Sequence, residues 1–266
     1  MRRVAHLSDL HFGTEDPAVV AGLARDVAEV KADLVVVSGD LTQRAKRKEF
    51  AAAASFLRSL PAPFLAVPGN HDIPLYNVAR RLWSPFGRYR RLVSPELMPR
   101  YSDDELAVIG FNTSLEFVWK GGLVRRAQMA ALQGWAAVAG HRLRVVFAHH
   151  PFSLPTGRRS HSLVRRSGDA MRVMEEVGVD LVLTGHHHIG GYSESRAFAA
   201  GGPHRVVIVS AGTAMSRRVR GDPNSYNLVH VDPGRIAVEE RAWNGERFAA
   251  RHVQTYPRQT EPTGPL

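Results

Sequence analysis

The stretch LAVPGNHDIPL, Leu65 to Leu75, ends an apolar run on Pro68 and Gly69 and then sets Asn70, His71 and Asp72 side by side. A turn uses the glycine and tolerates the asparagine, but it has no need of the two side chains that follow. The same pattern recurs along the chain. Val4–Leu7 is followed by Asp9 and His11, Leu34–Ser38 by Gly39 and Asp40, Arg144–Ala148 by His149 and His150, and Leu181–Thr184 by Gly185, His186, His187 and His188. All these apolar runs have strand length, and all end in side chains able to hold a metal.

Helical patterns separate the early runs: Pro17–Lys31 and Lys46–Leu60, then Arg125–Ala139 and Gly168–Val177, with apolar residues at helical spacing. Further strands are predicted at Leu106–Phe111, Arg205–Ser210, Tyr226–Val231 and Ile236–Ala242. Alternation of this kind predicts a layered α/β fold. The strand-rich final third predicts a second sheet with antiparallel hairpins. The expected architecture is a four-layer α-β-β-α sandwich with two mixed β-sheets. It spans one domain over 1–255, with 76–100 inserted over one edge as a substrate cap and 256–266 as a flexible tail. In open α/β sheets ligands bind beyond the carboxyl ends of the strands, so one edge of this sandwich collects the polar strand ends.

Composition narrows the chemistry. The 266 residues suffice for one sizeable core, and 44% hydrophobic with 23% charged residues is ordinary for a globular protein. The absence of cysteine excludes disulfides and thiolate ligands, so a metal must be held by His, Asp, Asn or Glu. No apolar run approaches the roughly 20 residues of a membrane-spanning helix. The opening MRRVAHLSDLH has no signal-type apolar core, and the expected location is cytoplasmic. A net charge of +10 attracts anions: nucleotides, nucleic acid and anionic lipid all qualify. The arginine- and alanine-rich composition of a GC-rich genome accounts for that charge equally well.

Asp9-Leu10-His11, Gly39-Asp40, Gly69-Asn70-His71-Asp72, His149 and Gly185-His186-His187-His188 together resemble the motifs of the calcineurin-like metallophosphoesterases, in that family's order and spacing. The nearest branch is similar to the class III cyclic-nucleotide phosphodiesterases. The resemblance covers residues 9 to 188 and weakens in Tyr76–Arg100 and after about residue 212. It implies a metal-dependent phosphoric diester hydrolase with two divalent or trivalent ions, Mn or Fe/Mn, with Zn or Co as alternatives. It places Asp40 as the bridging carboxylate. One ion takes Asp9, His11 and His188, and the other takes Asn70, His149 and His186. The family's ligand stands two residues before Pro151, which selects His149 over His150. His186 and His188, one residue apart, would project from one face of an extended segment while His187 points away.

On this reading Asn70 is a ligand and His71 meets the substrate. Asp72 orients His71 by a hydrogen bond to its other nitrogen. A metal-bridging hydroxide attacks phosphorus, and protonated His71 assists the departing alkoxide. The lead substrate is a small anionic phosphodiester, a cyclic nucleotide first. Alternatives are a nuclease, a hydrolase of glycerophosphodiesters or nucleotide–lipid pyrophosphates, and a non-catalytic scaffold of the same fold. Arg80, Arg81 and Trp83, in a stretch that also holds Phe86, Arg88, Tyr89, Arg90 and Arg91, are candidates for substrate contact. The competing reading packs the rings on the core and leaves the arginines solvated. Arg217, Arg218 and Arg220 are weaker candidates for phosphate contact, as are Trp119 and Lys120 for the site mouth. A homodimer is compatible with the sequence, through Arg125–Ala139 or the tail.

Overall fold

A computed structural model describes residues 1–153, 163–194, 204–219 and 221–258. Two six-stranded sheets face each other. The first runs β12-β11-β10-β1-β2-β3 and is built from β1 (Arg2–Leu7), β2 (Leu34–Val37), β3 (Phe64–Ala66), β10 (Ser225–Asp232), β11 (Arg235–Trp243) and β12 (Phe248–Pro257). The second runs β4-β5-β6-β7-β9-β8, from β4 (Arg100–Ser102), β5 (Leu106–Phe111), β6 (Leu143–Ala148), β7 (Leu181–Thr184), β8 (Gly191–Glu194) and β9 (Val207–Ser210). β1, β2 and β3 are parallel, as are β5, β6, β7 and β9, while β10, β4 and β8 join antiparallel. The expected sandwich with two mixed sheets is therefore present, but the hairpin strands β10, β11 and β12 of the final third extend the sheet of β1 instead of forming the second sheet.

Strand periodicity builds the layers. In β1 and β2, Ala5, Leu7, Val35 and Val37 face α1 (Pro17–Glu29) and α2 (Arg47–Ser59), while Val4, Leu34 and Val36 face the other sheet. Ile109, Val146, Val182 and Ile208 likewise meet α5 (Arg126–Ala139) and α6 (Ser167–Glu176), whereas Val108, Val145, Leu181 and Val207 join the inter-sheet core. Each fully buried Val, Leu or Phe side chain contributes roughly 1.5–3 kcal/mol, and three such cores cement four layers. α1 starts at Asp16, whose carboxylate accepts from Ala18 N at 3.0 Å ahead of Pro17.

The sequence missed β4, β8 and β12. The first two are edge strands of three and four residues. β12 is exposed along most of its length, too polar to announce itself, yet it pairs with β11 as far as Pro257, with one shift of register between Glu240 and Arg241. Its Tyr256 is buried against Ile236, so order extends two residues into the segment expected as tail. The 76–100 stretch holds two short helices, α3 (Val78–Trp83) and α4 (Gly87–Leu92), before reaching β4. Tyr89 of α4 is fully buried and donates to Ala66 O at 2.6 Å, so this ring belongs to the core.

Candidate metal centre

The polar residues that follow β1, β2, β3, β6 and β7 converge. Asp9, His11, Asp40 and His188, all buried, present ligand atoms within 4.8 Å of one another, and His149, His150 and His186 form a second group of that kind. Asp40 joins the two groups. Its Oδ2 lies 3.7 Å from His11 Nε2 and 3.5 Å from His149 Nε2, while its Oδ1 accepts the His71 amide at 2.8 Å. One oxygen thus faces both groups and the other is held by the backbone. Asn70 Oδ1 stands 3.1 Å from His149 Nε2, and His186 Nδ1 stands 3.1 Å from the same atom. On the opposite side His188 Nε2 is 3.3 Å from Asp9 Oδ1 and 3.2 Å from His11 Nε2.

Backbone carbonyls set the tautomers. His149 Nδ1 donates to Ser38 O at 2.9 Å, and His188 Nδ1 donates to Arg218 O at 2.9 Å. In both rings the Nε2 lone pair is left pointing inward. Asp9 Oδ1 is buried with no hydrogen-bond donor. Converging lone pairs and carboxylate oxygens repel one another unless a cation sits among them, so the donor set fits metal ions. The electrostatics agree. Burial works to raise the Asp40 carboxyl, but His149, His71 and His11 outweigh it and hold it well below the usual range. Burial lowers His149, yet Asp40 and Asp9 push it up to about 9, drawing positive charge to this spot. Burial, then the neighbouring His149, lowers His186 to about 3.

The local backbone is unusual at these residues. Asp9, His11, Asp40, His186 and His188 have φ of 53°, 47°, 51°, 77° and 60°. Left-handed backbone at non-glycine positions is uncommon and clusters at functional sites. It also revises one expectation. His186 and His188 do reach separate groups, but through left-handed turns and not along an extended segment. Gly69 gives the close approach: a Cβ there would stand 2.1 Å from Asp40 Oδ1 and 2.4 Å from Asp40 N.

His71 lies in a single 3-10 turn, Asn70–Asp72. Its Nδ1 donates to Gln43 O at 2.9 Å, and its Nε2 lies 3.2 Å from Arg218 Nη1. The ring meets His11 edge-on, with centroids 4.9 Å apart. Burial lowers its pKa, with His11 and Arg218 acting the same way against Asp40. Asp72 does not orient it. The Asp72 carboxylate accepts from Leu41 N, Thr42 N, Thr42 Oγ1 and Gly69 N at 2.8–3.1 Å, tying the β2 and β3 ends together. Burial and then Asp40 push this carboxyl up to about 6 against those donors. A carbonyl, invisible to sequence patterns, does the orienting that was expected of Asp72.

His150 Nδ1 is 2.8 Å from Thr113 Oγ1, and its Nε2 is buried without a partner beside His186. His187 is buried and belongs to neither group. Among the substrate candidates, Arg81 is buried and donates to Pro74 O, Glu116 O and Val118 O, so it clamps loops together. Arg80 lines a cavity with Arg47, Arg88 and Arg91, and Trp83 is 84% exposed. Arg218 does reach the centre, whereas Arg217 lies within 3.7 Å of Asp16 on the surface. Arg220 lies outside the described residues.

Comparison with known proteins agrees with this geometry. The family model for calcineurin-like phosphoesterases matches residues 2–190. A glycerophosphodiester phosphodiesterase, GpdQ, from Enterobacter lignolyticus is 30% identical over 206 residues, covering 70% of this chain and 70% of that protein. A UDP-2,3-diacylglucosamine pyrophosphatase, LpxG, from Chlamydia muridarum is 36% identical over 77 residues, 28% of this chain and 23% of that protein. In fold, a dimetal phosphatase from Danio rerio superposes with a TM-score of 0.69 at 12% identity, covering 97% of this chain and 99% of that one. The chain therefore belongs to the calcineurin-like phosphoesterase family and is a metal-dependent phosphoester hydrolase.

Proposed function

We propose that the chain hydrolyses a small anionic phosphodiester of the glycerophosphodiester kind at a two-cation centre. The observation that carries this reading is the division of the cluster at Asp40 Oδ2. Asp9, His11 and His188 stand on one side, and Asn70, His149 and His186 on the other. Two divalent or trivalent ions held by these residues would lower the pKa of water from about 15.7 toward ~7 and neutralise phosphoryl charge. Asn70, a neutral donor, limits negative charge on its side and so favours approach of an anionic diester.

His71 turns Nε2 outward because Nδ1 is committed to Gln43 O. Burial favours the neutral form of the free imidazole. An arriving diester anion beside Nε2 favours proton uptake there, and the proton then passes to the leaving alkoxide. Arg218, 3.2 Å from the same nitrogen, is positioned to hold a non-bridging oxygen.

The glycerophosphodiester class is supported by the name of the GpdQ relative, which spans most of the chain. A cyclic nucleotide is the second reading. Arg44 lies 5.9 Å from the Tyr76 ring and Arg81 lies 5.2 Å from the Trp119 ring, so paired guanidinium and aromatic groups suit a base. Parallel turnover of glycerophosphocholine, cyclic AMP, a nucleotide–lipid pyrophosphate and single-stranded DNA, with manganese added, decides between them. The largest kcat/KM is expected for glycerophosphocholine. Turnover of cyclic AMP alone would overturn the proposal. Failure to hydrolyse even bis-p-nitrophenyl phosphate would leave a scaffold.

A further inference from the structure

α3 is inside out. Its one buried residue is Arg81, while Val78, Leu82 and Trp83 are 62%, 46% and 84% exposed. The Arg81 guanidinium explains how such a helix stays in place. By donating to Pro74 O, Glu116 O and Val118 O, it fastens α3 to the loop that carries Phe117 and Trp119. Those two rings are 74% and 60% exposed, and Tyr76 between helix and site is 78% exposed. Of the eleven large hydrophobic residues exposed among the described residues, six belong to the two segments that Arg81 joins, Tyr76–Trp83 and Phe117–Trp119. Scattered exposed hydrophobics need no explanation, but a contiguous patch marks an interaction surface.

Positive charge flanks the patch. Arg47, Arg80, Arg88 and Arg91 line a cavity of about 240 Å³ between α2, α3 and α4. Arg88 donates to Ala45 O, and none of the four pairs with a carboxylate among the described residues. Four guanidiniums gathered with no carboxylate in ion-pair contact, and only Glu49 attracting Arg88 from further off, are a receptor for an anion with several oxygens.

We propose that this face docks the protein on an anionic lipid bilayer, with Val78, Leu82 and Trp83 reaching the headgroup–acyl boundary and the four-arginine cavity receiving a headgroup phosphate. Charge complementarity selects this occupant. A second copy would bring the same arginines against each other on a chain of net charge +10. A nucleic acid would use the arginines and rings but leaves Val78 and Leu82 in water, whereas a bilayer takes up aliphatic and aromatic groups together. The face adjoins the metal centre, since Pro74, held by Arg81, comes two residues after Asp72. Lipid-derived diesters would then be released close to where they are cut.

The test is co-sedimentation of the full-length, metal-loaded protein with vesicles of phosphatidylcholine alone or mixed with phosphatidylglycerol. Binding is expected only to the anionic vesicles and is expected to fade at high salt. Arg91→Glu is expected to weaken partitioning by about tenfold or more. Leu82→Gln and Trp83→Ala are expected to weaken it at unchanged salt dependence, with far-UV melts confirming that each variant is folded. Equal sedimentation with both vesicle types, or variants that bind as the wild type does, overturns the proposal. So does a wild-type dimer that Leu82→Gln splits, because a second copy would then own the face. The readout needs no turnover: an active enzyme that ignores vesicles refutes docking alone, and an inactive one that binds them refutes the hydrolase reading alone.

Discussion

Asp40 makes three commitments with two oxygens: Oδ1 to the His71 amide, and Oδ2 toward both His11 and His149. Asp40→Asn is expected to abolish stoichiometric metal binding, measured by elemental analysis, together with hydrolysis. His71→Ala separates the roles. Metal content should hold while kcat falls ~10²–10⁴-fold, the usual range for a lost proton donor; loss of metal in that variant would make His71 a structural residue instead. A histidine outside the metal centre contributes to acid stability. His6 is fully buried, bonded to Ser38 Oγ at 2.9 Å, and burial lowers its pKa to about 3. Between roughly pH 6.5 and 3 the unfolded chain binds a proton that the folded chain refuses, so stability falls as pH falls across that window. From pH 7 to 5 the loss is about 2 kcal/mol at 1.36 kcal/mol per unit. In urea titrations at the two pH values, His6→Gln should flatten this difference; an unchanged slope refutes the assignment.

The strand ends carry the site, and they were the legible part of the sequence. Asp9, His11, Asp40, Asn70, His149, His186 and His188 could be marked because side-chain identity and strand termination are both local signals. What escaped was written in the backbone. The carbonyls of Ser38, Gln43 and Arg218 fix the His149, His71 and His188 rings, and any residue type supplies a carbonyl. β12 escaped because only its pairing with β11 makes it a strand, and Arg81 was misjudged because its partners are loop carbonyls up to 37 residues away. Element geometry also makes Gly69 irreplaceable. Gly69→Ala drives a methyl into Asp40, so β2 and β3 must part at the site. Metal stoichiometry and activity are expected to fall together while far-UV circular dichroism is retained; full metal loading in that variant would contradict the close approach.

At the scale of the whole molecule, three apolar cores hold two sheets and two helical layers while the centre sits at the sheets' shared edge. Ions held at that edge by the proposed ligands would tie β1, β2 and β3 of one sheet to β6 and β7 of the other, which would couple metal affinity to global stability. At a free ion concentration one hundred times Kd, each ion adds ~2.7 kcal/mol. Chelation of both ions is therefore expected to lower Tm by about 10–20 °C, at 2–4 °C per kcal/mol. A Tm indifferent to chelator would mean that the two sheets do not share the ions. Among the described residues no helix is long and apolar enough to cross a membrane.

The left-handed backbone at Asp9, His11, Asp40, His186 and His188 decides which variants give interpretable chemistry. Asparagine enters that region several-fold more readily than most side chains, so an Asp→Asn exchange alters charge and little else. Alanine there carries a conformational penalty of roughly 1–2 kcal/mol, and a β-branched residue strains further. A scan of these positions with alanine would merge chain strain with lost ligation, whereas amide-for-carboxylate pairs would report ligation by itself.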